Sequence, residues 1–336
     1  MGSCWVSRYD RYSTLPFASG RVAHRRNSEL LLLIAPCQPQ NSTHSTGRST
    51  ADFKLNLVAD VRSKFNSLIS IKCDTLLAIT HALSAKTNVP MIVLFTDFGS
   101  DDPYVGQMKA VLVQQAPEIP VIDLLHNAPR FNMRASAHLL AAYSAAFPAD
   151  SILLGVVDPG VGDVRRKAIA INIGRRWCVG PENGLFDVLA ARAMLAQADV
   201  VYWEITWRPE NLSNSFHGRD LFAPVAACLA RDEMPQGVQV DRSPPVAVAN
   251  DLPEVIYIDH YGNAITGVRA NQIASTDSLK VGEHIVVRAN TFCDVAVGQA
   301  FCYENANGLM EIAINQGSAA HSLGLSIGSR VSITLN

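Results

Sequence analysis

No CxxC pair occurs among the seven cysteines (Cys4, Cys37, Cys73, Cys178, Cys228, Cys293 and Cys302), which are odd in number and widely spread. That spacing excludes a zinc knuckle and provides no disulfide framework, so reduced thiols in a cytoplasmic protein are the expectation. Charge is also scarce. Only 17% of residues are charged and the net charge is -2, so the chain lacks the basic footprint that holds a polyanion, and no nucleic-acid partner is expected. Long apolar runs are missing as well. The longest near the N-terminus, "LLLLIAPC" (30–37), is too short to span a bilayer. It also lies behind too long and polar a leader for an ordinary signal peptide, so no membrane partner is expected.

What the chain does hold is apolar mass. With 336 residues, 48% of them apolar, it can build two domains, each with its own core. Residues 1–90 differ from the rest: they are rich in Ser, Thr and Arg, and their only acids are Asp10, Glu29, Asp52, Asp60 and Asp74. This reads as a poorly structured leader, as a transit peptide, or as an extension from a start upstream of Met91. A small helical appendage built from Phe53–Leu83 is the alternative. From Met91 the runs "MIVLF", "PVIDLL", "ILLGVV", "AIAINI" and "VVYWEI" read as buried strands. Helical patterns at 104–115, 133–147, 184–196 and 221–231 lie among them. This alternation predicts an α/β/α sandwich with a mostly parallel sheet over 91–243. The stretch "DRSPPVAVANDLPE" (241–254) then breaks the pattern. Beyond it, "EVIYID", "HIVVRA", "LMEIAI" and "RVSITL" alternate between Gly and Asn turns, which predicts a small antiparallel β-barrel domain over 250–336.

In an open α/β sheet, ligands gather at the carboxyl ends of strands. Three polar clusters stand there: Asp97 in "TDFGSDDPYVG", Asp123 and His126 in "DLLHNAPRF", and Asp158 in "VVDPGVGDVRR". The last has glycines but neither the Lys-Ser/Thr end of a P-loop nor a GxGxxG opening a helix, and a strand follows it, so it is not a phosphate cradle. Arg165 is expected to fold back across the turn onto Asp158, with Arg166 turned to solvent. In "SNSFHGRDLFAPVAA", Asp220 reads as the N-cap of the helix from Leu221, and His217 precedes a glycine that lets a ligand approach the backbone. Asp97, Asp123, His126, Asp158, His217, Asp259 and His260 are metal-ligand types, but their spacing fits no compact motif such as HExxH. No GxSxG elbow supplies a serine nucleophile.

Taken in order, "TDFGSDDPYVGQMKAV", "VVDPGVGDVRR", "GPENGLF", "FHGRDLFAPVAA", "IDHYGNAIT" and "EIAINQGSAA" closely resemble the S-adenosyl-L-methionine (SAM) hydroxide adenosyltransferases. These adenosine-forming SAM hydrolases are related to fluorinase and chlorinase. The resemblance runs from Met91 to the C-terminus. It implies an α/β/α domain followed by a β-barrel, assembled as a homotrimer with SAM between subunits. It also implies Asp158, Arg165 and His217 as the catalytic set that positions water. Substrate contacts fall on Asp97 (ribose hydroxyls), on Asp259 and Asn263 (methionine amino group and adenine), and on Asn307 and Gln316 along "NANGLMEIAINQ". Phe216 and Gly218 of "FHG" and Asn183 of "GPENG" complete the implied contacts. Asn307 stands where the halogenases carry Arg.

The implied chemistry needs neither metal nor cofactor, because SAM is itself the substrate and its sulfonium is already a good leaving group. Water must be aligned with C5' and sulfur. Three alternatives remain at this stage: a SAM-dependent 5'-halogenase, a SAM- or adenosine-binding protein with negligible turnover, and a metal-dependent hydrolase. Fluorinase-like chains carry Tyr and Thr in the "VVDPGVG" loop and Ser after the aromatic of "FHG". Asp158, Val161 and Gly218 occupy those places here, and a carboxylate beside the nucleophile favours water over halide.

Overall fold

The computed structural model describes residues 90–335 other than Val164; residues 1–89, with the expected leader and the Phe53–Leu83 alternative, lie outside the described residues. The first apolar run forms β1 (Ile92–Thr96), buried along its whole length. It is apolar on both faces because helices cover both sides of its seven-stranded sheet, which is ordered β2-β1-β3-β5-β4-β6-β7. The other strands are β2 (Val121–Leu125), β3 (Ile152–Val156), β4 (Ala168–Ile173), β5 (Arg176–Pro181), β6 (Val200–Ile205) and β7 (Gly237–Val240). Strands β2, β1, β3 and β5 run parallel, whereas β4 pairs antiparallel with both β5 and β6, and β6 with β7. The sheet is therefore mixed, with a parallel half that carries the strand ends of interest.

Two sequence expectations need correction here. "PVIDLL" forms a strand, but β2 is an edge strand with Ile122 and Asp123 exposed rather than a buried one. β5 and β7 carry polar, proline or glycine residues within short runs, which hid them from an apolar-run reading. The helices are α1 (Pro103–Gln115), α2 (Met133–Tyr143), α3 (Asp187–Leu195) and α4 (Ala223–Ala230). One face of the sheet packs Met108 and Leu112 of α1 and Val225 and Leu229 of α4; the other packs Leu139 and Leu140 of α2 and Ala190 of α3.

After residue 250 the strands within each sheet pair antiparallel, while an isolated bridge between Arg288 and Cys302 is parallel. Strands β8 (Leu252–Ile258), β9 (Ala264–Arg269), β12 (Ala300–Glu304) and β13 (Leu309–Ile314) form one sheet; β10 (Ser278–Val281), β11 (His284–Val286) and β14 (Val331–Thr334) form another. Two seams join them into a ring. Val255 N–H donates to Ser329 O (2.8 Å) and Gly328 N–H to Val255 O (2.8 Å), beside a bridge between Glu254 and Arg330. Across the ring, Cys302 N–H donates to Val287 O (2.9 Å) and Ala289 N–H to Cys302 O (2.9 Å). These seams leave no free sheet edge between β8 and β14 or β11 and β12, so the region is a small barrel. A core of Leu139, Leu140, Leu252, Ile256, Ile265 and Leu309 joins α2 to its wall.

Polar groups lie beside that joint. Asp251 accepts from Arg269 N–H (2.9 Å) and from the Arg269 guanidinium, with Arg192 Nη2 at 3.6 Å. His138 on α2 is buried beside them, and its Nδ1 has no hydrogen-bond partner among the described residues. Burial first, then the positive charges of Arg192, Arg134 and Arg269, push its pKa from 6.5 down to about 4, with Asp251 opposing. The unfolded chain thus binds more protons than the fold between those two values. The contribution of neutral His138 is fully present above about pH 6.5 and is lost as pH falls towards 4, up to about 3 kcal/mol. Urea unfolding of wild type and His138→Phe across this window should show a shallower pH slope in the variant. Identical slopes would contradict the assignment.

Candidate active site

Asp158 stands two residues beyond the end of β3, and its side chain is only 6% exposed. Two donors meet one of its oxygens: Arg166 Nη1 at 2.7 Å and Gly160 N–H at 3.2 Å, both on Oδ1. Oδ2 receives no hydrogen bond among the described residues. The arginine expectation is therefore reversed. Arg166, eight residues on, folds back over the turn, whereas Arg165 is 88% exposed and chelates Asp163 through Nε (3.0 Å) and Nη2 (2.8 Å). The reason is local. Asp163 accepts the Arg165 backbone N–H (3.0 Å), which fixes Arg165 alongside that carboxylate, while the Arg166 N–H bonds Asp163 O and turns the next side chain inward.

The glycines of this turn also acquire a different reason. A Cβ on Gly160 would stand 2.4 Å from Arg166 Nη2, so the missing side chain is the space through which the guanidinium reaches Asp158. Gly162 adopts φ +87°, the left-handed backbone that closes the turn, with Asn214 O only 2.8 Å from its would-be Cβ. Asn183 braces the strand end itself: its Nδ2 donates to Val157 O (2.8 Å) and its Oδ1 accepts from Leu185 N–H (3.3 Å).

His217 lines the same cavity of about 260 Å³ as Asp158, Gly160 and Arg166. It opens a π-helical turn, Gly218–Phe222, that runs into α4. Such single wide turns recur at functional sites because they re-aim side chains that a regular helix would bury. Asp220 lies inside this turn and is not an N-cap. It accepts from Ser213 N–H (2.9 Å) and pairs with Arg219 (2.6 Å), tying the preceding loop down. Sequence reasoning named Phe216 but missed Phe98 and Tyr104, which form an aromatic cluster with it, the rings 5.3–5.9 Å apart. Phe98 and Tyr104 both stand in "TDFGSDDPYVG", where the acids drew attention away from the rings. Gly218 packs against this cluster, at Phe216, Phe98 and Met108.

Asp97 belongs with this group. Burial raises its pKa, the Phe131 backbone and Arg130 oppose the rise, and the nearby Asp158 charge adds to it. Strand ends β1 and β3 thus bring two carboxylates close enough to sense each other, with His217 opposite the second.

A second cavity, about 770 Å³, opens in the barrel between Tyr143, Asp259, Asn263, Tyr303, Asn305, Asn307, Glu311 and Gln316. Asp259 accepts from Tyr261 N–H (2.9 Å), Asn263 N–H (2.8 Å) and Asn263 Nδ2 (3.0 Å), so the "DHYGN" turn is built on its carboxylate. Asn305 Oδ1 accepts from Asn307 N–H (3.0 Å) and Leu309 N–H (3.1 Å), shaping the turn that exposes Asn307. Glu311 is buried between Tyr303 Oη (2.6 Å) and Asn305 Nδ2 (3.0 Å). Tyr303, Asn305, Glu311 and Tyr143 were not singled out from sequence, because their functional neighbours come from strand pairing and from α2. The two cavities share no lining residue. Among the described residues no three His, Cys, Asp or Glu side chains converge as a metal site, and His260 is exposed beside Tyr261.

Residues 92–239 match the SAM hydroxide adenosyltransferase N-terminal domain, and residues 253–332 match its C-terminal domain. The chain belongs to the SAM hydroxide adenosyltransferase family. Among family relatives, the (R)-S-adenosyl-L-methionine hydrolase of Thermus thermophilus is 37% identical over 71% of this chain and 98% of its own length. The hydrolase of the same name from Salinispora tropica is 35% identical over 73% of this chain and 98% of its own. A Nocardia brasiliensis fluorinase stands further off, at 23% identity over 73% of this chain and 96% of its own. The family fold is seen in a solved structure of an uncharacterized conserved protein from Thermotoga maritima. It superposes with a TM-score of 0.63 at 30% identity, covering 73% of this chain and all of that one.

Proposed function

We propose that this chain hydrolyses S-adenosyl-L-methionine to adenosine and L-methionine, through in-line attack of water on C5'. The observation that carries the reading is the Asp158 carboxylate: Arg166 and Gly160 fix one oxygen, the other has no hydrogen bond among the described residues, and His217 lines the same cavity. Oδ2 accepts a hydrogen bond from water and aims its lone pair at C5'. As the C–O bond forms, the C5'–S bond breaks and its electron pair stays on sulfur, which leaves as the neutral thioether of methionine. The water proton leaves through His217, imidazole being the side chain suited to that task near neutral pH. Asp97 holds the ribose hydroxyls. Asn183 supports the Asp158 strand end from behind.

Arg165, carried outward by Asp163, supplies a guanidinium at the mouth of the site rather than a partner for Asp158. The separate barrel cavity takes the amino-acid and base end of a substrate bound to another copy, with Asp259, Asn263, Asn307 and Gln316 as contacts and Phe216 and Gly218 on the facing wall. Two cavities without a shared residue support a homotrimer whose sites form between subunits. Because the L prefix fixes the α-carbon, the (R) in the relatives' name describes the sulfonium, and we extend that epimer preference to this chain. Metal independence and a cytoplasmic setting complete the proposal; among the described residues no helix is long and apolar enough to cross a membrane.

Purified protein given SAM that contains both sulfur epimers should release adenosine and methionine in equal amounts, with the (R) epimer consumed first. EDTA and added chloride should leave the rate unchanged. A 5'-chloro nucleoside would identify a halogenase, loss with EDTA a metalloenzyme, and intact SAM a binding protein.

A further inference from the structure

A second set of polar side chains stands behind Asp97 and takes no part in the mechanism above. Thr96, the last residue of β1, is fully buried, and its Oγ1 lies 2.9 Å from His126 Nδ1. The Phe98 N–H points at the same hydroxyl oxygen (3.4 Å), which can accept from it while it shares a hydrogen bond with Nδ1. Nε2 is 3.1 Å from Asp123 Oδ1, but the contact lies off the ring N–H axis and does not complete a hydrogen bond. Lys109 Nζ on α1 holds the other Asp123 oxygen at 2.9 Å. The chain Lys109–Asp123–His126–Thr96 therefore spans α1, the edge strand β2 and the end of β1.

It also stitches two loops together. Gly99 N–H donates to His126 O (2.7 Å) and Ala128 N–H to Thr96 O (3.1 Å). The second loop runs on to Phe131, a non-glycine residue at φ 58°, whose backbone lies near enough to the Asp97 carboxylate to favour its charged form. A residue held in that sparsely populated backbone region persists only where its surroundings fix it. Here Asn132 N–H donates to Pro129 O (3.2 Å) across Phe131, and Asn132 Oδ1 accepts from Ala135 N–H (3.0 Å), which fixes the end of the loop at α2.

We infer that Thr96 and His126 are positioning residues for substrate, setting the Asp97 carboxylate, and with it recognition of the ribose hydroxyls, through the paired 96–99 and 126–131 loops. The inference rests on Asp97 as the ribose contact. Thr96→Val keeps the shape of the side chain and removes the hydroxyl; Thr96→Ser restores it. With the hydroxyl gone, KM for SAM should rise about tenfold while kcat stays within about threefold, the scale of one lost buried hydrogen bond. The preference for SAM over its 2'-deoxy analogue should fall by a similar factor, and Thr96→Ser should recover it. His126→Gln should lower the same preference.

Calorimetric titration with adenosine and with 2'-deoxyadenosine provides a readout that needs no turnover. Loss of discrimination between the two nucleosides in Thr96→Val, at a melting temperature close to wild type, would support the inference. Equal discrimination in wild type and Thr96→Val would overturn it, as would a fall in both affinities that merely tracks the folded fraction. Absence of turnover in wild type, with discrimination present and lost on substitution, would instead count against the hydrolase reading and leave this positioning role supported.

Discussion

Asp158→Asn is expected to lower kcat for SAM hydrolysis by about 10²–10⁴-fold while adenosine affinity changes by less than about threefold. The substitution is nearly isosteric, and its carbonyl oxygen can still accept from Arg166 and Gly160, whose bonds both land on Oδ1. What changes is the other side of the group. An amide –NH₂ then faces the water position in place of an acceptor, so water is presented with its lone pair turned away from C5'. Steady-state kinetics and calorimetry separate the two effects: turnover falls because the interaction matters at the transition state, whereas ground-state binding does not depend on it. An equal loss of kcat and adenosine affinity would mean that Asp158 shapes the pocket and does not align water.

Gly160→Ala should reproduce the effect of Arg166→Met, each lowering kcat about a hundredfold, because both leave a buried carboxylate without its cation. The alanine Cβ would collide with the far end of the Arg166 side chain, 2.4 Å away, and not with backbone. The guanidinium can swing aside, so folding is spared while the contact to Asp158 is lost. Combining the two substitutions should add little to either alone, the signature of two changes that remove one interaction. Arg165→Ala is expected to combine independently with Gly160→Ala, since its guanidinium sits on Asp163. If Gly160→Ala were instead epistatic with Arg165→Ala, the arginine held on Asp158 would be the other one of the pair.

The fold was legible wherever burial leaves an unambiguous trace. Ile92–Thr96 and Ile152–Val156 are apolar on both faces because helices cover both faces of the sheet there, and the sequence shows that directly. β2 has the same apolar look yet lies at the sheet edge; strand order depends on contacts far apart in sequence, which no local run records. Asp97, Asp158 and His217 could be singled out as candidates because strand ends and a glycine-flanked histidine are local features. The choice between Arg165 and Arg166 could not. It is decided by which side of the turn each Cβ leaves, and that follows from the Asp163 bonds and the left-handed Gly162. The π-helical turn at Gly218–Phe222 was read as an ordinary helix start for the same reason, since its extra residue lies in backbone pairing and leaves no mark on side-chain periodicity. Closure of the barrel by Val255–Ser329 and Val287–Cys302 bonds is likewise a matter of long-range registry.

The central claim is that water, held by Asp158, becomes the 5'-hydroxyl of the product. Turnover of SAM in heavy-oxygen water, with EDTA and chloride present and products weighed by mass spectrometry, tests it most directly. The account predicts adenosine carrying one heavy oxygen, unlabelled L-methionine in equal amount, and loss of this product in Asp158→Asn. Unlabelled adenosine, or a 5'-chloro nucleoside in its place, would contradict it.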